Sequence, residues 1–151
     1  MSNAIDRKKW KAYIGGVITF TLSRAYRGVM PSVYELILYE TESGKRPVED
    51  YLRNLYKENQ IEDAAKIKDY MELLEKYGVA QINNYHSQAV KKVDKKNNIW
   101  ELRPGDNRVF FFHFTGEKYV LLHAFRKKSQ KTPPQQIEQA VREMKDYRRR
   151  N

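Results

Sequence analysis

Two short stretches of this chain carry charges that strand packing does not require. In "IWELRPGDNRVFFFHF", Glu101, Arg103, Asp106 and Arg108 flank a Pro-Gly turn, while the phenylalanines behind them are pure core material. In "FRKKSQK", Arg126, Lys127, Lys128 and Lys131 place four cations within six residues, just before a helix start. Together with Arg103 and Arg108, these cations are suited to gripping several phosphates. Arginine does so bidentately and keeps its proton near neutral pH. The competing arrangement pairs Arg103 and Arg108 with Glu101 and Asp106 as surface salt bridges, which stabilise by about 0–1 kcal/mol. Spacing alone leaves the two readings equal.

Other chemistries have less to build on. There are no cysteines, which removes disulfides, thiolate metal sites and a Cys nucleophile. Between Lys91 and Gln130 the carboxylates are Asp94, Glu101, Asp106 and Glu117, each alone; metal-dependent phosphoryl chemistry usually clusters two or more. The histidines, His86, His113 and His123, lack short ligand spacing, and no phosphate-cradling glycine loop or serine-nucleophile motif is present. No metal or cofactor is therefore expected. RNA can be cut without either. Its own 2′-hydroxyl attacks the adjacent phosphate if a protein aligns the backbone, neutralises the developing charge and assists proton transfer. A basic site with one carboxylate and a histidine or lysine suffices.

The distribution of charge favours an anionic partner. The chain of 151 residues has a net charge of +10. Residues 1–90 carry 13 Lys/Arg against 12 Asp/Glu, and residues 91–151 carry 16 against 7. The excess thus sits in the last two-fifths of the chain, as expected of a polyanion-binding face rather than an evenly solvated surface. Lys91 and Lys92 open that half and join Arg126, Lys127, Lys128 and Lys131 as candidate nucleic-acid-binding residues.

The elements that must position these groups can be read from periodicity. "SVYELILYE" alternates as a strand. Pro47 suits the first position of a helix carrying Val48, Tyr51, Leu52 and Leu55 on one face. A second helix follows, with Ala64, Ile67, Met71 and Leu74 in phase and Gly78 as its C′ residue. Residues 79–98 read as irregular or weakly extended. Strands at Ile99–Arg103, Arg108–Phe114 and Lys118–Arg126 are joined by short glycine-containing turns. "TPPQ" reads as a capping box opening a last helix through Ile137, Ala140, Val141 and Met144, whose basic tail is expected to fray. The order gives a single α+β domain, its antiparallel sheet packed by an N-terminal helical hairpin and a C-terminal helix.

Residues 1–31 read as an extension to a domain spanning 32–149. Ser2 to Ala4 resemble a tag scar. The apolar run Ala12–Leu22 is diluted by glycine and threonine and is too short to span a membrane, so it is expected to form an extra strand or helix. Met30 is an alternative natural start. A cytoplasmic location without membrane association is expected, consistent with the absence of cysteine.

"YELILYETESGKRPVEDYLRNL", "WELRPGDNRVFFFHF" and "VLLHAFRKKSQKTPPQQIEQA" closely resemble the RelE/HigB-like toxins, in the branch of phage-derived host-inhibition proteins. The resemblance covers about residues 33–149. It implies a RelE-like domain with a curved antiparallel sheet and an endoribonuclease that cleaves mRNA in association with the ribosome. It also implies neutralisation by a cognate helix-turn-helix (HigA-like) antitoxin. Carried over residue by residue, Arg108 matches the family's phosphate-contacting arginine. Glu101 and Arg103 fall where related toxins place a catalytic residue followed by a cation, and Arg126, Lys127 and Lys128 match a basic RNA-holding segment. His123 is a weaker candidate for proton transfer, because some relatives use a C-terminal tyrosine or histidine as the acid, whereas this chain continues into a helix. Two functions follow: a toxin endoribonuclease, or a non-catalytic nucleic-acid- or ribosome-binding module using the same basic patch. A purely structural subunit would leave the basic half unexplained.

Overall fold

A computed structural model describes residues 33–151. The expectations for residues 1–31, including the extra element and the Met30 start, lie outside the described residues. The fold is α+β, with elements in the order β1 (Glu35–Leu38), α1 (Pro47–Lys57), α2 (Ile61–Tyr85), β2 (Val90–Asp94), β3 (Ile99–Leu102), β4 (Asn107–His113), β5 (Lys118–Arg126) and α3 (Pro134–Arg150). The strands form one sheet in the order β1-β5-β4-β3-β2.

Both faces of the sheet are apolar because both receive helices. Phe111, Leu121 and Tyr119 on one face pack under Leu52, Ile67, Met71 and Leu74 of α1 and α2. Phe110, Phe112, Val120 and Leu122 on the other meet Ala140 and Met144 of α3. Phe110, Phe111 and Phe112 are completely buried, each burial contributing about 1.5–3 kcal/mol of transfer free energy. Two helices cover the first face and one covers the second. That imbalance leaves one end of the α3 face open, and the charged strand ends lie there.

The structure corrects five local expectations. The sheet is not wholly antiparallel: β1 runs parallel to β5, Glu35 facing Lys118. The long α1–α2 excursion between β1 and the meander makes that crossover possible. A fifth strand, β2, occupies part of the stretch read as irregular; its sequence, Val-Lys-Lys-Val-Asp, is a lysine-bearing edge that, among the described residues, pairs with β3 alone. Gly78 does break its helix, with φ 67° and ψ 175°, but a further helical segment runs on to Tyr85. The Val79 amide freed by the break donates to the Tyr119 hydroxyl at 3.1 Å. Thr132 does not cap α3: Pro133 is the N-cap residue and no side chain caps it, because the Thr132 hydroxyl donates instead to Glu101.

The fifth correction concerns the tail of α3, which is helical through Arg150. Tyr39 donates to Asp146 at 2.7 Å, and Arg149 bridges Asp146 and Glu42. Arg150 pairs with Asp146 and donates to the Glu40 carbonyl. Arg148 lies over the rings of Phe112 and Phe114. The Asp146 pairs are local, at i,i+3 and i,i+4 on the same helix, but Tyr39, Glu40 and Glu42 beyond β1 and the rings of Phe112 and Phe114 are distant in sequence, and no local rule announces them.

Candidate functional site

Glu101, Arg103 and Arg108 meet where α3 leaves the sheet uncovered. Glu101 on β3 pairs directly with Phe110 on β4, which puts it on the α3 face together with Arg108, two residues before Phe110. The carboxylate is buried, at 3 % exposure. Its Oε1 lies 3.5 Å from Arg103 Nε and 3.8 Å from Arg108 Nε, while Oε2 accepts the Thr132 hydroxyl at 3.1 Å. Arg103 Nε is buried and, despite that ion pair, has no hydrogen-bond partner among the described residues.

Arg108 does two things. Its Nη1 donates to the carbonyls of Gly105 at 2.7 Å and Asn107 at 2.8 Å, holding the hairpin turn that Gly105 makes with φ 63°. Nη2 has no hydrogen bond among the described residues, and Arg108 lines the pocket over this cluster. Burial pushes the guanidinium below its ordinary value, an effect opposed by the Glu101 charge. Arginine still remains a cation at neutral pH.

A pocket of about 310 Å³ opens over this cluster. Glu101 lines it with the cations Lys91, Lys92, Arg103, Arg108, Lys127 and Lys131. Val93, Phe125, Pro133 and Ile137 supply its apolar lining, and Gln130 and Thr132 complete it. Six Lys and Arg residues against one carboxylate in the lining of a recess with apolar walls will attract an anion, and the recess excludes part of the solvent that would screen it.

Phe125 reaches the pocket through a bulge. The pairing of β4 and β5 slips between Phe110 and Phe111, so Phe110 faces His123 while Phe111 faces Leu121. Strict alternation would place His123 and Phe125 with Leu121 under α1 and α2. The extra residue reverses the phase, sending Ala124 to that face and Phe125 to the α3 face.

Several residues expected in the site lie elsewhere. His123 turns under α3, 4 % exposed, its Nδ1 2.6 Å from Glu143 and its Nε2 2.8 Å from Gln136. It does not line the pocket. Arg126 points the opposite way and bonds Asp63 at 2.7 Å and Gln60 at 3.1 Å, at the start of α2. Lys128 is exposed and outside the pocket lining, whereas Lys127, Lys131 and Lys91 belong to it. Lys92 lines the pocket, but its ammonium lies over the Trp100 ring and donates to Asn98. Asp106 accepts the Lys127 amide through its backbone carbonyl at 2.7 Å, and its charge acts on Arg108.

Sequence reasoning missed Thr132, Gln130 and the apolar wall. Thr132 was legible as a helix-capping residue, and only the approach of Glu101 gives it another partner. Among the described residues, no group of three or more His, Cys, Asp or Glu converges to hold a metal, and no helix is long and apolar enough to cross a membrane.

A family model described as phage derived protein Gp49-like (DUF891) matches residues 50–145, from the first turn of α1 to the body of α3. The match includes every pocket-lining residue. No curated protein matches the chain.

Proposed function

We propose a function from one premise: the chain belongs to the family of phage-derived Gp49-like proteins, a RelE-superfamily-like toxin family. Membership in a toxin family implies a cognate antitoxin as partner. We infer that this toxin is an endoribonuclease that cleaves mRNA on the ribosome in the cytoplasm without a metal, and that its antitoxin is a helix-turn-helix protein made from a neighbouring gene. The observation that carries this reading is the pocket itself, whose lining joins a buried carboxylate, the two arginines beside it and several lysines.

The chemistry follows from the groups present. A phosphodiester seated against Arg103 and Arg108 has its non-bridging oxygens neutralised, and that neutralisation strengthens as the phosphorane-like transition state gains charge. Glu101 takes the proton of the 2′-hydroxyl as its oxygen attacks phosphorus. The bond to the 5′-oxygen breaks, leaving a 2′,3′-cyclic phosphate on one fragment. The departing oxygen takes a proton, for which Lys127 and Lys131 are the donors lining the pocket. His123, with both ring nitrogens engaged under α3, is not assigned that step. Lys91, Lys127 and Lys131 hold the flanking backbone.

One observation favours a second reading. Glu101 is already ion-paired with two guanidiniums and hydrogen-bonded to Thr132, and a carboxylate stabilised in this way is a weaker base. In that reading the pocket binds RNA or the ribosome without cutting.

Expression in bacteria separates the two. Growth arrest with cleaved transcripts, lost with Arg103→Ala and Arg108→Ala, supports the endoribonuclease. Arrest with intact transcripts leaves the binding module, and normal growth with soluble, folded protein overturns both.

A further inference from the structure

The pocket lining has two chemical characters, and the phosphate reading uses only one. Besides the cations, Phe125, Pro133 and Ile137 give it an apolar wall. Low-dielectric walls strengthen the field at a phosphate, but any apolar side chain would serve for that, whereas an aromatic ring adds a flat face that a base can use. Phe125 is there because the bulge on β5 turns it away from the α1–α2 core; bulges beside functional sites commonly re-aim a side chain in this way. Phe110 meets Phe125 at 5.2 Å and 89°, so the ring is braced from the core while remaining only half-buried at the pocket. A volume of about 310 Å³ lies at the lower end of small-molecule sites, which span ~300–1,000 Å³.

We propose that this wall is a base-binding subsite: one nucleobase of a single-stranded RNA stacks on Phe125, beside Pro133 and Ile137, while its phosphate rests on Arg103 and Arg108. The inference rests on the proposed phosphate role of those arginines and names the unit the pocket takes, a single nucleotide with its base unstacked from the strand. Every base has a π-face, so Phe125 supplies affinity for a nucleotide over a bare phosphate. Gln130, an exposed amide on the lining, is the group able to hydrogen-bond a base edge and so to discriminate among bases.

Titration of the intact protein with inorganic phosphate and with each of the four nucleoside 3′-monophosphates tests this by calorimetry. The expected result is tighter binding of nucleotides than of phosphate. Phe125→Ala should weaken nucleotide binding roughly 5- to 150-fold, the range for loss of one stacked base, with phosphate affinity unchanged. Phe125→Leu keeps apolar packing against Phe110 and should lose the same preference while its thermal melt stays near that of the wild type. Equal affinity for phosphate and nucleotides, or a preference that survives in folded Phe125→Leu, overturns the base subsite and leaves the arginine reading standing. Failure of the wild type to bind either ligand overturns both.

Discussion

Glu101 stands between Arg103 and Arg108, 3.5 Å from one Nε and 3.8 Å from the other, so two guanidiniums share a single buried counter-ion. Salt bridge and phosphate contact, which compete in the sequence, are thus compatible in the fold. One carboxylate cannot satisfy two arginines, and the surplus positive charge faces an open pocket.

Replacing Glu101 with Gln removes that counter-ion at nearly constant shape. RNA affinity should rise several-fold, because the attraction of the two guanidiniums for phosphate is no longer opposed. If Glu101 is the base, the cleavage rate should fall about 10²–10⁴-fold. Filter binding and a single-turnover cleavage assay measure the two effects separately. Unchanged cleavage would remove Glu101 from proton transfer.

Arg108→Lys keeps the charge but loses the planar fork that reaches both the turn carbonyls and the pocket. Cleavage should drop about 10²–10³-fold, the usual cost of one transition-state donor. The turn should also loosen, which amide hydrogen exchange at Asn107 and Asp106 would register. Full activity in this variant would argue that Arg108 serves the turn alone.

Salt dependence counts the phosphate contacts. Were Arg103, Arg108, Lys127 and Lys131 each to neutralise one phosphate, the slope of log K against log salt for single-stranded RNA would be about −3. Lys131→Ala should make it shallower by roughly 0.7. Arg126→Ala should barely change it, since Arg126 is already held by Asp63 and Gln60. A larger effect from Arg126 than from Lys131 would mean that RNA tracks a different surface.

The α3 tail predicts a pH dependence. Hydrogen bonds from Arg150 and then from Tyr39 hold the Asp146 carboxyl well below the usual carboxylate range. A depressed carboxyl contributes stability that is present above its ordinary value of 3.8 and is lost as pH falls below it. Burial, and then the bond to Asp146, push Tyr39 up to about 12, so its contribution holds below about pH 10 and fades as pH rises toward 12. Asp146→Asn should flatten the acid limb and admit proteolysis near residues 146–151, as followed by thermal melts and mass spectrometry.

Gly78→Ala probes the break in α2. The backbone there has φ 67°, and an added Cβ would come within 2.5 Å of the Tyr34 ring. A loss of about 1–3 kcal/mol is expected from chemical denaturation, from the strained backbone and the displaced ring together. A neutral result would mean that the helix straightens without cost.

Local chemistry made much of this protein legible. Pro47, the phase of Ala64, Ile67, Met71 and Leu74, and the glycine-containing turns between Ile99 and Arg126 reflect interactions within a few residues of each other, which periodicity records. Glu101, Arg103 and Arg108 were legible for the same reason, as charges that strand packing does not need. β2 escaped notice because a lysine-bearing edge strand shows little alternation, and Thr132 because its partner lies 31 residues away. Only the tertiary structure decided which cations share a pocket. The slip between Phe110 and Phe111 is a property of two paired strands. It sends Phe125 to the pocket and His123 under α3, while Asp63 on a distant helix captures Arg126. Sequence by itself determined which side chains were present at the strand ends; the packing of one helix on one face of the sheet determined which of those ends remained open.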